Sequence, residues 1–140
     1  MTIRDILSFL AGALFLLGFI PYIRAILRGE TKPSKVSWII WASLDVILLL
    51  GMIKENSVNG QIVGAVTGAG LVVLLALWYG KSGWTKIDIG SLIGGAVGIL
   101  FLLIGDTITS IQMMCLVALI GSFPTFASAW KNPEAEDKVA

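Results

Sequence analysis

Trp38, Trp41 and Asp45 stand at positions i, i+3 and i+7 of one apolar run, which puts two indoles and a carboxylate on a single helical face. An acid beneath stacked indoles has the makings of a pocket for a polar ligand: ring faces for apolar surface, and one group able to accept a hydrogen bond or carry a proton. The amides of Gln61 and Gln112 would add donors and acceptors to such a site. A plainer reading has Asp45 bonded to a neighbouring helix and Trp38 anchored at a membrane interface. Covalent and metal chemistry are poorly supplied. The chain has no histidine, and its single cysteine, Cys115, lies in an apolar run. The commonest metal ligand and general base is therefore missing, and with it a zinc site, a Ser/His/Asp triad or a Cys/His pair. Asp88 and Asp106 fall at opposite ends of their apolar runs and cannot pair with Asp45. The expectation is a protein that is not an enzyme, with no catalytic residue, no metal and no cofactor.

The elements that must position these residues are membrane helices. Of 140 residues 56% are hydrophobic and 14% charged, with a mean hydropathy of +0.91, far from the usual globular mix of roughly 25% charged. Charge-poor runs recur at about 6–23, 36–53, 62–79, 89–105 and 107–130, each close to the ~20 residues that cross a hydrocarbon core. The fold class expected is all-α: a polytopic membrane helical bundle of five transmembrane helices, a single domain over 1–140 ending in a polar tail at 131–140. Pro21, Tyr22 and Arg24 follow the first run where a signal peptide would show a small-residue cleavage site, so that run reads as a retained helix. Asp45 lies about nine residues into the second run, roughly 13 Å deep and near the midplane. A carboxylate there costs about 2.5–3.5 kcal/mol and should face protein or water rather than lipid. The net charge of +1 gives no concentrated basic face for nucleic acid, which is not expected as a partner. The lipid bilayer is.

Proline and glycine set the shape of the runs. Pro21 cannot donate to the Leu17 carbonyl, and Gly18 beside it lowers resistance to bending, so the pair reads as a hinge. Gly64 and Gly68 form a GxxxG pair in the third run, and Gly90, Gly94 and Gly98 recur in steps of four in the fourth. Both read as helix-packing stripes, within the chain or between copies. Shifting the sequence by 103 positions lays LLGFIPYIRAILR on LIGSFPTFASAWK, matching Leu16 to Leu119, Gly18 to Gly121 and Pro21 to Pro124. Gly121 and Pro124 thus read as a second hinge, in a span running the same way across the membrane, as a parallel repeat requires.

Cations report orientation. The first loop carries Arg24, Arg28, Lys32 and Lys35, the third Lys81 and Lys86, and the C-terminus Lys131 and Lys138, whereas the alternate side has only Arg4 and Lys54. With positive charge kept inside, the N-terminus is outside and the C-terminus cytoplasmic. The first-loop cations also stand at the depth of anionic lipid headgroups, an attraction of about 1 kcal/mol per cation.

Pro21, the TKPSKVSW stretch from Thr31 to Trp38, Asp45, and the block GSFPTFASAWKNPE from Gly121 to Glu134 together resemble the PQ-loop superfamily, which includes SWEET-like sugar transporters and lysosomal amino-acid exporters, and more closely a prokaryotic branch of it. The resemblance implies a three-helix bundle, a linker helix and the first helix of a second bundle. It also implies a plasma-membrane location, hinges at Pro21 and Pro124, and a small polar solute held at mid-membrane near Asp45 and moved by alternating access without ATP. Two departures stand out. Tyr22 and Thr125 replace the glutamine that follows each proline in the family. The full family pattern has seven spans against five here, so a second copy, a partner or a longer chain would complete the second bundle. The alternative function is a membrane accessory or assembly subunit, or a fragment with no transport of its own.

Overall fold

The computed structural model describes the backbone of residues 2–131 and the side chains of 2–120. It is all-helical: α1 (Ile3–Leu27), α2 (Lys35–Lys54), α3 (Gly60–Tyr79), α4 (Lys86–Leu103) and α5 (Thr107–Lys131). Helices α1 to α4 are each long and apolar enough to cross a membrane, as an integral membrane protein requires. The apolar part of α5 among the described side chains is Thr107–Ile120. The second hinge pair, Gly121 and Pro124, lies beyond the described side chains, and the tail from 132 lies outside the described residues.

Each helix starts where a short polar side chain can satisfy its first free N–H groups. Thr2 with Asp5, and Thr85 with Asp88, form reciprocal capping boxes on α1 and α4. Ser34 caps α2 and Asn59 caps α3. Asp106 accepts from the Thr109 N–H at 3.1 Å at the head of α5. The Thr109 side chain, and then its backbone N–H, hold the Asp106 carboxyl below the usual range. This cap is therefore in place at neutral pH and is lost only as pH falls through that lowered value. Gly29, at φ +74°, turns the chain out of α1, and the Glu30 N–H closes the turn on the Ala25 carbonyl at 2.9 Å.

Helix α3 lies between α1 and α2, and among the described residues the α1 backbone closely approaches no other helix; α2 also meets α4 and α5, which pair with each other. Lipid gives helices no hydrophobic reason to associate, so contact depends on close backbone approach. Gly12 and Gly64 supply it between α1 and α3: a Cβ on Gly64 would stand 2.8 Å from the Gly12 carbonyl oxygen. The Gly60 N–H donates to the Ser8 hydroxyl at 2.6 Å, and Gly68 lies flat under the Phe19 ring. On α4, Gly94 meets Val117 and Gly98 meets Met114, both on α5, while Gly95 admits Leu44 from α2. These contacts are within the chain. Ile40, Leu44, Met114 and Val117 form the core they enclose, and the buried Ser110 hydroxyl donates to the Gly98 carbonyl at 2.7 Å. Gly90, the first of the three glycines expected in this stripe, has no described atom within 4 Å of where its Cβ would be. Steps of four residues drift about 40° each around a helix, so a contact made at Gly94 and Gly98 has turned away by Gly90.

Alternate loops share a face. The Lys35 N–H donates to the Lys81 carbonyl and the Lys81 N–H to the Pro33 carbonyl, both at 2.9 Å, clasping the first loop to the third around a fully buried Pro33. At the other face the Lys54 ammonium donates to the Leu102 carbonyl at 3.2 Å, capping the end of α4.

Gly64→Ala is expected to destabilise the protein by about 1–3 kcal/mol, because the added methyl meets backbone that cannot move aside. Gly70→Ala, with nothing within 4 Å, should be neutral or stabilising by up to about 1 kcal/mol. Reversible unfolding in mixed micelles, followed by circular dichroism, measures both.

Candidate functional site

Because α3 separates them, α1 and α2 do not meet backbone to backbone, and aromatic side chains bridge the opening. Phe15, Phe19 and Tyr22 recur on one face of α1 at spacings of four and three residues. Trp38 reaches them from the first turn of α2. Its ring centroid lies 5.4 Å from that of Tyr22 and 6.2 Å from that of Phe19, and Phe19 in turn lies 5.9 Å from Phe15. These are tilted contacts at favourable separations. The Trp38 indole N–H donates to the Tyr22 hydroxyl oxygen at 3.2 Å, which gives the indole's polar tip its partner.

Beside this ladder is a groove of about 490 Å³, walled by Leu14, Phe15, Phe19, Tyr22 and Trp38 and floored by Gly18 and Pro21. The space next to Gly18 is open, with nothing within 4 Å of where a Cβ would be. Pro21 sits inside α1, which continues unbroken to Leu27, and its missing N–H leaves the Leu17 carbonyl without an in-helix donor. The groove therefore offers ring faces, bare backbone at a glycine and the Tyr22 hydroxyl. That combination suits a small solute with one apolar face and a few hydroxyl or amine donors.

Asp45 occupies the middle of α2, ten residues from Lys35 and nine from Lys54. Seven residues beyond Trp38, it projects from nearly the same side of the helix about 10 Å further along the axis. It is half-buried and makes no hydrogen bond or ion pair with any described residue. It does not line the aromatic groove.

The other residues expected at a site are dispersed. Trp41 packs against the Ile40, Leu44, Met114 and Val117 core instead of sharing an open pocket with Trp38. Three residues turn a helix by 300°, enough to send the second indole toward α5 while the first faces α1. Gln61 is exposed at the opposite end of the bundle, in a polar recess with Arg4, Ser8, Asn56 and Asn59. Gln112 is exposed on α5 and enters none of these spaces. The sequence therefore grouped five residues of which Trp38 alone lines the groove, with Asp45 on the same side of α2. Tyr22, Phe19 and Phe15 were missed. Their helical spacing around Pro21 was visible, but the partner that gives it meaning, Trp38, comes from another helix. Among the described residues no three Asp, Glu or Cys side chains converge as a metal site would need.

Tyr22→Phe and Trp38→Phe should each weaken the protein modestly, and the double variant less than their sum, with a coupling of about 0.6 kcal/mol from the lost hydrogen bond. A double-mutant cycle on unfolding in micelles reads this directly. Comparison with protein-family models, with curated proteins and with solved structures gives no match.

Proposed function

We propose that this protein carries a small neutral polar solute across a membrane by alternating access, without ATP. One observation carries the reading: the proline and glycine at which α1 can bend, Pro21 and Gly18, are themselves part of the aromatic groove that would hold the solute. Bending there changes the groove's shape, so that a single motion couples binding to access. Trp38 and Tyr22 supply the stacking surface, and the mid-helix Asp45 is the coupling group, holding a proton or a solute donor as the groove opens toward the membrane centre. The grouping of α1, α2 and α3 around α3, with α4 and α5 as a pair leaning on α2, suits a three-helix bundle followed by a linker and the start of a second bundle.

In this reading the clasped face, with Arg24, Arg28, Lys32, Lys35, Lys81 and Lys86, is cytoplasmic in a prokaryotic plasma membrane, and the N-terminus is outside. Homo-oligomerisation, or a partner's helices, would complete the pathway. A second reading, as a membrane accessory or assembly subunit, is favoured by α1, whose backbone closely approaches α3 alone among the described residues and which leaves most of its apolar length uncovered.

Proteoliposome uptake of labelled sugars, nucleosides and neutral amino acids separates the two. Transport predicts that one class accumulates above empty vesicles, and that Asp45→Asn and Trp38→Ala each reduce its uptake at least about tenfold while the helical circular dichroism is kept. An absence of uptake for every class, or uptake indifferent to both substitutions, favours the accessory role. For orientation, single cysteines at Glu55 and Lys32 in a Cys115→Ser background are treated with an impermeant maleimide on intact cells. Glu55→Cys should label at once, and Lys32→Cys only after permeabilisation.

A further inference from the structure

A second groove, of about 350 Å³, runs between α2 and α4 on the side of the bundle away from the aromatic ladder. Its α2 wall extends from Val36 to Ile47, eleven residue steps and about 17 Å from the clasped face to beyond mid-helix. Its α4 wall is kept low by Gly95 and Ala96. The one hydroxyl among its walls, Ser43, donates to the Ile39 carbonyl at 2.7 Å, so nothing inside asks for a polar partner.

The mouth has the opposite character. Trp84, 63% exposed, stands at it, and the first residues of the two helices beside it are Lys35 and Lys86. An exposed indole flanked by lysines is what a membrane interface collects. The carboxylates described at this face are both engaged. Asp88 is 3% exposed and accepts from the Thr85 N–H and hydroxyl at 2.8 Å, and Glu30 lies 3.9 Å from Arg28. Lys35 and Lys86 have no carboxylate partner among the described residues. Both also sit at helix N-termini, which adds to the positive potential.

We infer that the α2–α4 groove is a binding site for one anionic phospholipid, its acyl chain lying along Ile39, Ser43 and Ala96 and its phosphate held between Lys35 and Lys86 under Trp84. The match lies in the gradient: an apolar slot of acyl-chain length opening, at headgroup depth, onto a face where the described residues carry six cations (Arg24, Arg28, Lys32, Lys35, Lys81 and Lys86) against two carboxylates (Glu30 and Asp88). A zwitterionic lipid would fill the slot and offer the same phosphate, but its own ammonium would add a cation to an already cationic face, so the anionic lipid is preferred. This site is separate from the aromatic groove, and it stands whether or not the chain transports a solute.

Native mass spectrometry of the full chain, released from vesicles of equal parts phosphatidylglycerol and phosphatidylcholine, tests it. The expected result is a protein carrying one phosphatidylglycerol in clear preference to phosphatidylcholine. Lys35→Gln and Lys86→Gln should each reduce that preference about five-fold, from an attraction of about 1 kcal/mol per cation at the surface, with no change in lipid-free unfolding. Ala96→Phe, which fills the slot from an exposed position without touching the Gly95–Leu44 contact, should strip both lipids. Equal retention of the two lipids, a preference that survives both lysine substitutions, native-level lipid on Ala96→Phe, or a lipid-free dimer in place of the lipid adduct would each overturn the assignment.

Discussion

Where α1 crosses α3, Gly12 and Gly64 bring two main chains so near that a side chain at either would have to push one of them aside. Everything else in the bundle follows from this kind of contact. In a bilayer, lipid tails are as good a solvent for leucine as another leucine is, so apolar side chains alone do not choose a neighbour. Small residues do, because they expose backbone for dispersion contact at short range. Five of the seven buried residues of α3 are glycine or alanine, Gly64, Ala65, Gly68, Ala69 and Ala76, with Ile62 and Val72 between them. That face lets one helix hold two others at close backbone range.

The aromatic groove is a consequence of the same arrangement. With α3 wedged between them, α1 and α2 diverge, and the opening is spanned by side chains rather than closed by backbone. Large rings bridge such a gap with few rotatable bonds, and the Trp38–Tyr22 hydrogen bond lets them do so without leaving the indole N–H unsatisfied. Pro21 and Gly18 border that opening and not the tight Gly12–Gly64 crossing. Motion about Pro21 would therefore disturb soft aromatic contacts and spare the rigid ones.

The two faces of the bundle are built differently. On the basic face, backbone hydrogen bonds clasp the first loop to the third, and the carboxylate of Asp88 is buried on its Thr85 cap, so cations dominate the rim among the described residues. On the other face the contacts are side-chain caps, such as Lys54 on the Leu102 carbonyl. The positive rim next to an apolar slot is a property of this layout: α2 and α4 both begin at the clasped face, and each places a lysine at its first position.

The all-helical class, the helix number and the clustering of cations in alternate loops were legible in the sequence, because they depend on local periodicity, on the length needed to cross a bilayer and on composition along the chain. So were Gly64, Gly68, Gly94 and Gly98 as points of close approach, since a stripe of small residues has few other uses in lipid. What the sequence could not decide is which helix each face meets. Trp38 and Trp41 are three residues apart and share a broad helical side, yet one joins Tyr22 across a groove while the other is spent on the α2–α5 core. Gln61 and Gln112 have the right chemistry for a polar site and line no part of the aromatic groove, because depth along a helix and rotation about its axis are set only when the helices pack. Gly90 follows the spacing rule and still has no described neighbour, since a period of four slowly rotates away from a partner that a period of 3.6 would keep. Local pattern determined the elements; the close crossings of α3 and α4 decided which residues share a space.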